Sequence, residues 1–282
     1  RQFRRKLRRY RLEGVAGLVS RKRGVPSNRK MEAAIREVVD NFINDPLVKG
    51  FGPTLMAEKI EQMKGIRLSK ETLRKMMIEA GVWKSKVKKK AEPHYARPRR
   101  KHRGELVQID GSEHAWLEDR GPKATLLVFV DDATSQMLAA EFVPEESFFS
   151  YGSLCQRYFR EHGLPKAFYS DRFSVFRVNR RDNLRYEPVT QFQRALSVLD
   201  TELICANSPQ AKGRVERANQ TLQDRLIKEM RLLGISDYEQ ANLYLPQFIR
   251  DYNRKFAVSP ASSFDFHRPL DETHDLAFLF SI

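Results

Sequence analysis

The chain has 282 residues, 41% of them hydrophobic, which is enough to build two ordinary domains with real cores and too much for a disordered chain. Its formal charge of +15 is unevenly spread: residues 1 to 104 hold 30 Lys and Arg against 10 Asp and Glu, whereas residues 105 to 282 hold 21 against 26. A polyanion partner is therefore expected for the first third only; no apolar run approaches the ~20 residues that cross a bilayer, and two cysteines, Cys155 and Cys205, cannot make a disulfide framework, which fits a reduced, cytoplasmic setting.

The chain opens on Arg1 rather than Met with a charged helical pattern already running, so it is expected to be a fragment whose true N-terminus lies upstream. Phe3, Leu7 and Tyr10 recur at i, i+4 and i+7 and predict a helix closed by Gly14, with Arg4, Arg5, Arg8 and Arg9 on its other faces. Residues 1 to 30 fit the second half of a helix-turn-helix followed by the basic tether Arg21–Pro26; a solvated charged helix and a plain linker are the alternatives. Residues 31 to 83 predict three short helices. The first carries Met31, Ile35, Val38, Val39 and Phe42 and ends at Asp45-Pro46; the second runs from about Pro53 to Lys64; the third is capped by Ser69 and stopped by Gly81. The short turn from Gly65 to Leu68 makes this a helix-turn-helix DNA-binding domain by expectation, with Lys70, Arg74 and Lys75 off the apolar stripe and facing phosphates or bases. A plain three-helix bundle with surface lysines is the alternative. From residue 84 to 104 the chain reads as an extended basic linker, ten of the twenty residues Lys84–Arg103 being basic; Lys88, Lys89, Lys90, Arg99 and Arg100 are its candidate phosphate contacts.

The remainder alternates strand and helix patterns in the order βββαβαβα, a mixed five-stranded α/β domain over residues 105 to 262, with 263 to 282 the start of a further C-terminal region. Leu106–Asp110 reads as a strand ending in a carboxylate, Thr125–Val130 as a strand ending in Asp131-Asp132, and Lys166–Asp171 as a strand that again ends in Asp. Glu216 falls in the first turn of a long helix, Val215–Leu233. In a sheet of this order Asp110 and Asp171 sit on adjacent strand ends, with Glu216 on the helix beside them. Such carboxylates suit Mg²⁺, a hard ion, and two ions about 4 Å apart can activate an attacking oxygen and stabilise a leaving one at an anionic phosphodiester. Asp131, Asp132 and Glu113 compete for the role, since 36 acids offer many triples. Trp116 and Phe148-Phe149 read as packing residues. His114 reads equally as a polar turn residue or a neighbour of the reacting bond.

Three segments carry a family resemblance. Gln108-Ile109-Asp110-Gly111-Ser112, the run Tyr169-Ser170-Asp171-Arg172-Phe173-Ser174-Val175-Phe176, and Ala206-Asn207-Ser208-Pro209-Gln210-Ala211-Lys212-Gly213-Arg214-Val215-Glu216-Arg217-Ala218-Asn219 resemble the three acidic motifs of DDE transposases and retroviral-type integrases, the bacterial insertion-sequence transposases labelled ISNCY most of all. The third motif is the most specific, and the likeness runs from the helix-turn-helix region to about Tyr252-Asn253. It implies an RNase H-like catalytic core in which Asp110, Asp171 and Glu216 bind two Mg²⁺ ions, with Mn²⁺ as a substitute. Lys212, Arg214, Arg217 and Asn219 are then placed to meet a DNA end. The implied reaction is strand cleavage at the ends of a mobile element followed by attack of the freed 3′-OH on target DNA, carried out by a dimer or higher multimer in the bacterial cytoplasm, at the nucleoid. Forty-four residues separate Asp171 from Glu216, more than the commonest spacing of the family, and the polar stretch Asn179–Pro188 is where an insertion would absorb the excess. A DNA-binding regulator built on an inactive transposase, and a nuclease that cuts without joining, are the alternatives.

Overall fold

The structure is a computed structural model that describes residues 2–19, 31–84, 97–171, 173–177, 189–206, 213–271 and 273–281. The chain forms two compact units, Arg1–Ser85 and Lys86–Ile282. Among the described residues no helix is long and apolar enough to cross a membrane.

The first unit is helical. Helix α1 (Gln2–Glu13) buries none of its side chains: the expected apolar stripe forms, yet Phe3 is 75% exposed. Helices α2 (Ala33–Ile43), α3 (Pro53–Lys64) and α4 (Lys70–Glu79) share one core, built from Val39, Phe42 and Ile43, from Leu55, Met56 and Ile60, and from Leu73, Met76 and Met77. Val38, expected in that stripe, lies outside it at 41% exposure. Between α3 and α4 the chain turns through Gly65, whose φ of 67° is the left-handed conformation a residue without Cβ adopts freely. Ser69 then accepts the Thr72 amide at 3.0 Å and starts α4 as its sequence position requires.

The second unit is a mixed five-stranded sheet of order β3-β2-β1-β4-β5. Its strands are β1 (Val107–His114), β2 (Ala124–Asp131), β3 (Met137–Val143), β4 (Ala167–Ser170) and β5 (Glu202–Cys205). The first three form an antiparallel meander and the last two run parallel to β1, so the order is βββαβαβα and the fold is the RNase H-like one. Side chains alternate between the two faces. Val107, Ile109, Leu127, Phe129 and Phe168 point to one face, under α5 (Phe148–His162) and α6 (Gln191–Val198). Leu126, Val128 and Val130 point to the other, under α7 (Gly213–Leu232) and α8 (Tyr238–Phe256).

The free edge of β3 is closed by α8. Asn253 accepts the Met137 amide at 2.8 Å and donates to its carbonyl at 2.9 Å, and Asn242 does the same at Phe142, at 2.7 and 2.9 Å. Two side-chain amides thus take the place of a sixth strand at an edge that is otherwise open to pairing. The last residues also return to this unit: Leu164 and Arg268 exchange backbone hydrogen bonds, and Leu276 and Phe280 enter the α5 face of the core.

Candidate active site

The three acidic segments come together because β1 is central. Its parallel pairing with β4 matches Gln108 to Tyr169; Asp110 stands two residues further along β1, and Asp171 just past the end of β4. The two acidic motifs are thereby carried on neighbouring strands. Asp110 does not end its strand, as the sequence had implied: β1 continues to His114, held by antiparallel pairing with β2 down to Ala124, while its pairing with the short strand β4 stops at Gln108. Asp110 is thus central with respect to β2 and terminal with respect to β4.

Helix α7 lies along β1 in step with it. The Val215 amide donates to Gln108 Oε1 at 3.0 Å, Asn219 Nδ2 donates to Asp110 Oδ2 at 2.8 Å, and Gln223 Nε2 donates to Ser112 Oγ at 3.3 Å. Four helical residues rise ~6 Å and two strand residues ~6.6 Å, so every four residues of α7 meet every second residue of β1. Glu216 stands one turn before Asn219, with its side chain exposed. Asn219 is buried, and its Oδ1 has no protein hydrogen-bond partner. Asp171 is exposed and its Oδ1 accepts the Phe173 amide at 2.9 Å, whereas Asp110 is half-buried.

Carboxylate oxygens paired in register suit a hard divalent ion. Asp110 and Asp171 supply oxygen donors of that kind on neighbouring segments; among the described residues no three His, Cys, Asp or Glu side chains converge tightly enough to hold one.

The rival carboxylates stand elsewhere. Asp131 and Asp132 are fully buried at the far end of β2, where Asp131 is opposite Val107 while Asp110 is opposite Val128, three residues or ~10 Å along the strand. Asp131 accepts the Gly104 amide at 2.9 Å and the Thr134 amide and hydroxyl at 2.8 and 2.6 Å; burial raises its pKa above the ordinary carboxylate value, against those hydrogen bonds. Glu113 is exposed on the opposite face from Asp110. Trp116 is fully buried, its Nε1 donating to the Ser112 carbonyl at 2.9 Å, and His114 packs edge-on against it.

The candidate DNA contacts divide in two. Arg4, Arg5, Arg8, Lys70, Lys75 and Arg217 are exposed. Others are engaged within the chain. Arg9 donates to the Val19 carbonyl at 3.1 Å, and Arg74 grips Glu71 with two bonds of 2.9 and 2.7 Å. Arg99 reaches Ser135 Oγ at 2.8 Å and the carbonyls of Asp132 and Ala133 at 3.3 Å. Arg100 donates its amide to Asp132 at 2.8 Å, and Arg214 donates to the Arg97 carbonyl at 3.0 Å. Burial, with Arg99 nearby, lowers the Arg214 pKa from its ordinary value. Lys88, Lys89, Lys90 and Lys212, the tether Arg21–Pro26 and the stretch Asn179–Pro188 lie outside the described residues. Gln108 and Arg97 drew no attention as site residues, although a glutamine inside the apolar strand Leu106–Ile109 is itself a signal, because a buried amide needs partners.

No protein-family model matches the chain. It is 48% identical over 275 residues to the protein y4bF of Sinorhizobium fredii (strain NBRC 101917 / NGR234), provisionally named a transposase, an alignment covering 98% of this chain and 60% of that one. It is 31% identical over 268 residues to the transposase for insertion sequence IS1202 of Streptococcus pneumoniae, covering 81% of this chain and 57% of that one. Among solved structures, the HTLV-2 integrase catalytic core domain in complex with magnesium matches with a TM-score of 0.43 at 16% identity, over 59% of this chain and 98% of that one. The simian T-cell lymphotropic virus intasome matches with a TM-score of 0.48 at 14% identity, over 77% of this chain and 78% of that one. Over most of its length the chain is thus similar to transposases. It spans about 60% of the length of its transposase relatives.

Proposed function

We propose that this chain is the DNA-binding and catalytic part of a transposase that cuts DNA at the ends of a mobile element and joins the freed 3′ ends to target DNA. The observation that carries the reading is the meeting of the three motifs: Asp110 and Asp171 on segments that leave the paired strands β1 and β4, and α7 in step with β1 so that Asn219 grips Asp110 one turn after Glu216. In the first step a water oxygen bonds to phosphorus, the bond to the 3′ oxygen breaks, and a 3′-OH is left. In the second that 3′-OH attacks a target phosphodiester, forming one P–O bond as another breaks. Asp110, Asp171 and Glu216 are the residues that would hold Mg²⁺, which when bound supplies Lewis-acid activation of the attacking oxygen and charge stabilisation at the phosphate. Asn219 orients the Asp110 carboxylate throughout. The exposed cations Arg4, Arg5 and Arg8 of α1, Lys70 and Lys75 of the α3–α4 helix-turn-helix, and Arg217 meet DNA phosphates. Two element ends must be held together, so the working form is a dimer or larger multimer on DNA.

The test is Glu216→Gln. Metal-dependent strand cleavage is expected to disappear while DNA affinity stays near the unmodified value, because the neutral amide keeps the size of the side chain and removes its charge. A Glu216→Gln chain that cuts at the original rate overturns the triad.

A further inference from the structure

Helix α7 must begin at a fixed height on β1 for Glu216 to face Asp110 and Asp171, and the described residues contain a buried device that sets it. The first N–H groups of any helix lack partners within it. At α7 one of them, the Val215 amide next to Glu216, is taken by Gln108 Oε1 at 3.0 Å. Gln108 is fully buried, and its other amide atom, Nε2, donates to Asp132 Oδ1 at 2.7 Å. The orientation of that amide is forced, since the reverse would set an NH₂ against an N–H and an oxygen against a carboxylate. Asp132, also fully buried, holds three further groups: the Arg97 guanidinium, the Arg100 amide at 2.8 Å and, at 4.0 Å, Arg214 Nε. Arg214 precedes Val215 and closes the ring by donating to the Arg97 carbonyl at 3.0 Å. Arg97 lies over the Tyr169 ring, two residues before Asp171.

We propose that Gln108 and Asp132 are positioning residues for the cleavage reaction: they clamp the start of α7 to β1 from outside the helix and so fix the height along β1 at which Glu216 stands. The clamp also draws residues 97–100, the end of the basic segment, into the support of the site rather than onto DNA. This inference rests on the function proposed above. It differs from a purely structural role in what it moves. Loosening the clamp displaces one metal-binding carboxylate relative to the other two, so the metal requirement of the reaction changes along with its rate.

The experiment exchanges the two side-chain types in the 282-residue chain. Gln108→Glu alone sets two buried carboxylates against each other and breaks the bond to Asp132. Gln108→Glu with Asp132→Asn restores only the bond between these two side chains, donor and acceptor reversed: the carboxylate introduced on β1 still accepts from Val215 and accepts from the amide introduced beyond β2, while Arg97 loses its carboxylate. Gln108→Met removes both bonds at nearly constant volume and serves as the folded variant where Gln108→Glu does not fold. Cleavage by the single variants is expected to fall on the order of 10²-fold, the loss that an ångström of misplacement can cause. The Mn²⁺ concentration for half-maximal cleavage is expected to rise, amide hydrogen exchange at Val215 and Glu216 to accelerate, and the double variant to recover part of both relative to Gln108→Glu alone. Unchanged exchange at Val215 in Gln108→Met, or lost cleavage with an unchanged Mn²⁺ requirement, overturns the clamp. If the unmodified chain cuts no DNA, the proposed function fails, while exchange at Val215 and Glu216 still decides whether Gln108 anchors the helix.

Discussion

Asn219→Ala separates catalytic orientation from packing with unusual clarity, because the asparagine is well used on one side and poorly used on the other. Its Nδ2 donates to the Asp110 carboxylate at 2.8 Å, a hydrogen bond to a charged group worth about 1.5–3 kcal/mol. Its Oδ1 is buried without a protein partner, an arrangement that costs about 1–3 kcal/mol. Truncation removes both, so the two nearly cancel in folding stability and the melting temperature is expected to move little. In the reaction there is no such cancellation. Asp110 is half-buried and loses an orienting bond of about 1.5–3 kcal/mol; at about 1.4 kcal/mol per factor of ten, cleavage should slow roughly 10- to 150-fold. The assay is single-turnover nicking of labelled duplex DNA in Mn²⁺, alongside a thermal melt and a DNA-binding titration. A variant that cuts at the original rate but has lost more than about 2 kcal/mol of stability, the size of an ordinary buried hydrogen bond to a charge, would show Asn219 to be a packing residue and refute the reasoning.

Leu222→Ala, on the fully buried face of α7 against Leu126 and Val128, should cost about 2–5 kcal/mol in chemical denaturation, because it opens a cavity between helix and sheet. Replacing Arg4, Arg5 and Arg8 by Ala should flatten the salt dependence of DNA affinity, each lost phosphate contact lowering the slope by about 0.9, whereas Arg99→Ala should leave the slope unchanged. His267 is buried against Tyr158 Oη at 2.6 Å and Asp265 at 2.5 Å, near Arg103 and His162; burial lowers its pKa from 6.5, with Asp265 opposing. The folded imidazole stays neutral where an unfolded one is charged, so this contribution is complete above pH 6.5 and is lost as the pH falls through the folded value. Melting temperature should therefore decline on the acid side, and His267→Gln should flatten that decline.

Much of the second unit was legible because its signals are local. Gly163 has a φ of 86° and carries a Cβ position only 2.4 Å from the Arg268 carbonyl, so a stop signal at the end of α5 and a close approach of backbone coincide in one residue. Ser147 and Thr190 likewise sit where helices start, as Ser69 does in the first unit. The length of β1 was not legible, since Gly111, Ser112 and Glu113 lack strand propensity and are held only by pairing with β2. The same holds for the site. Asp110, Asp171 and Glu216 stood out through the motifs they belong to, while the partnership of Asp110 with Asn219 and of Gln108 with Val215 depends on how a helix and a strand of different pitch are laid side by side. No spacing within either element records that match.

The cations show the same limit from the side of charge. Counting side chains gives residues 1 to 104 a strong excess of positive charge and treats each Lys and Arg as equally ready for a phosphate. The fold withdraws several of them. Arg97 is bound to the buried Asp132, Arg103 to Asp265 and Arg74 to Glu71. In the second unit Arg231 is bound to Glu118 through bonds of 2.9 and 2.7 Å. An arginine already paired with a carboxylate must give up that pair to meet DNA, so its net gain on binding is small, whereas an exposed arginine of α1 exchanges only water and counterions. Composition points to a polyanion, and the pairing within the fold leaves α1, Lys70 and Lys75 of α4, and Arg217 as the exposed candidates to meet it. On the function proposed above, Arg217 alone among these adjoins a carboxylate of the triad, so its removal should lower cleavage more than it lowers affinity.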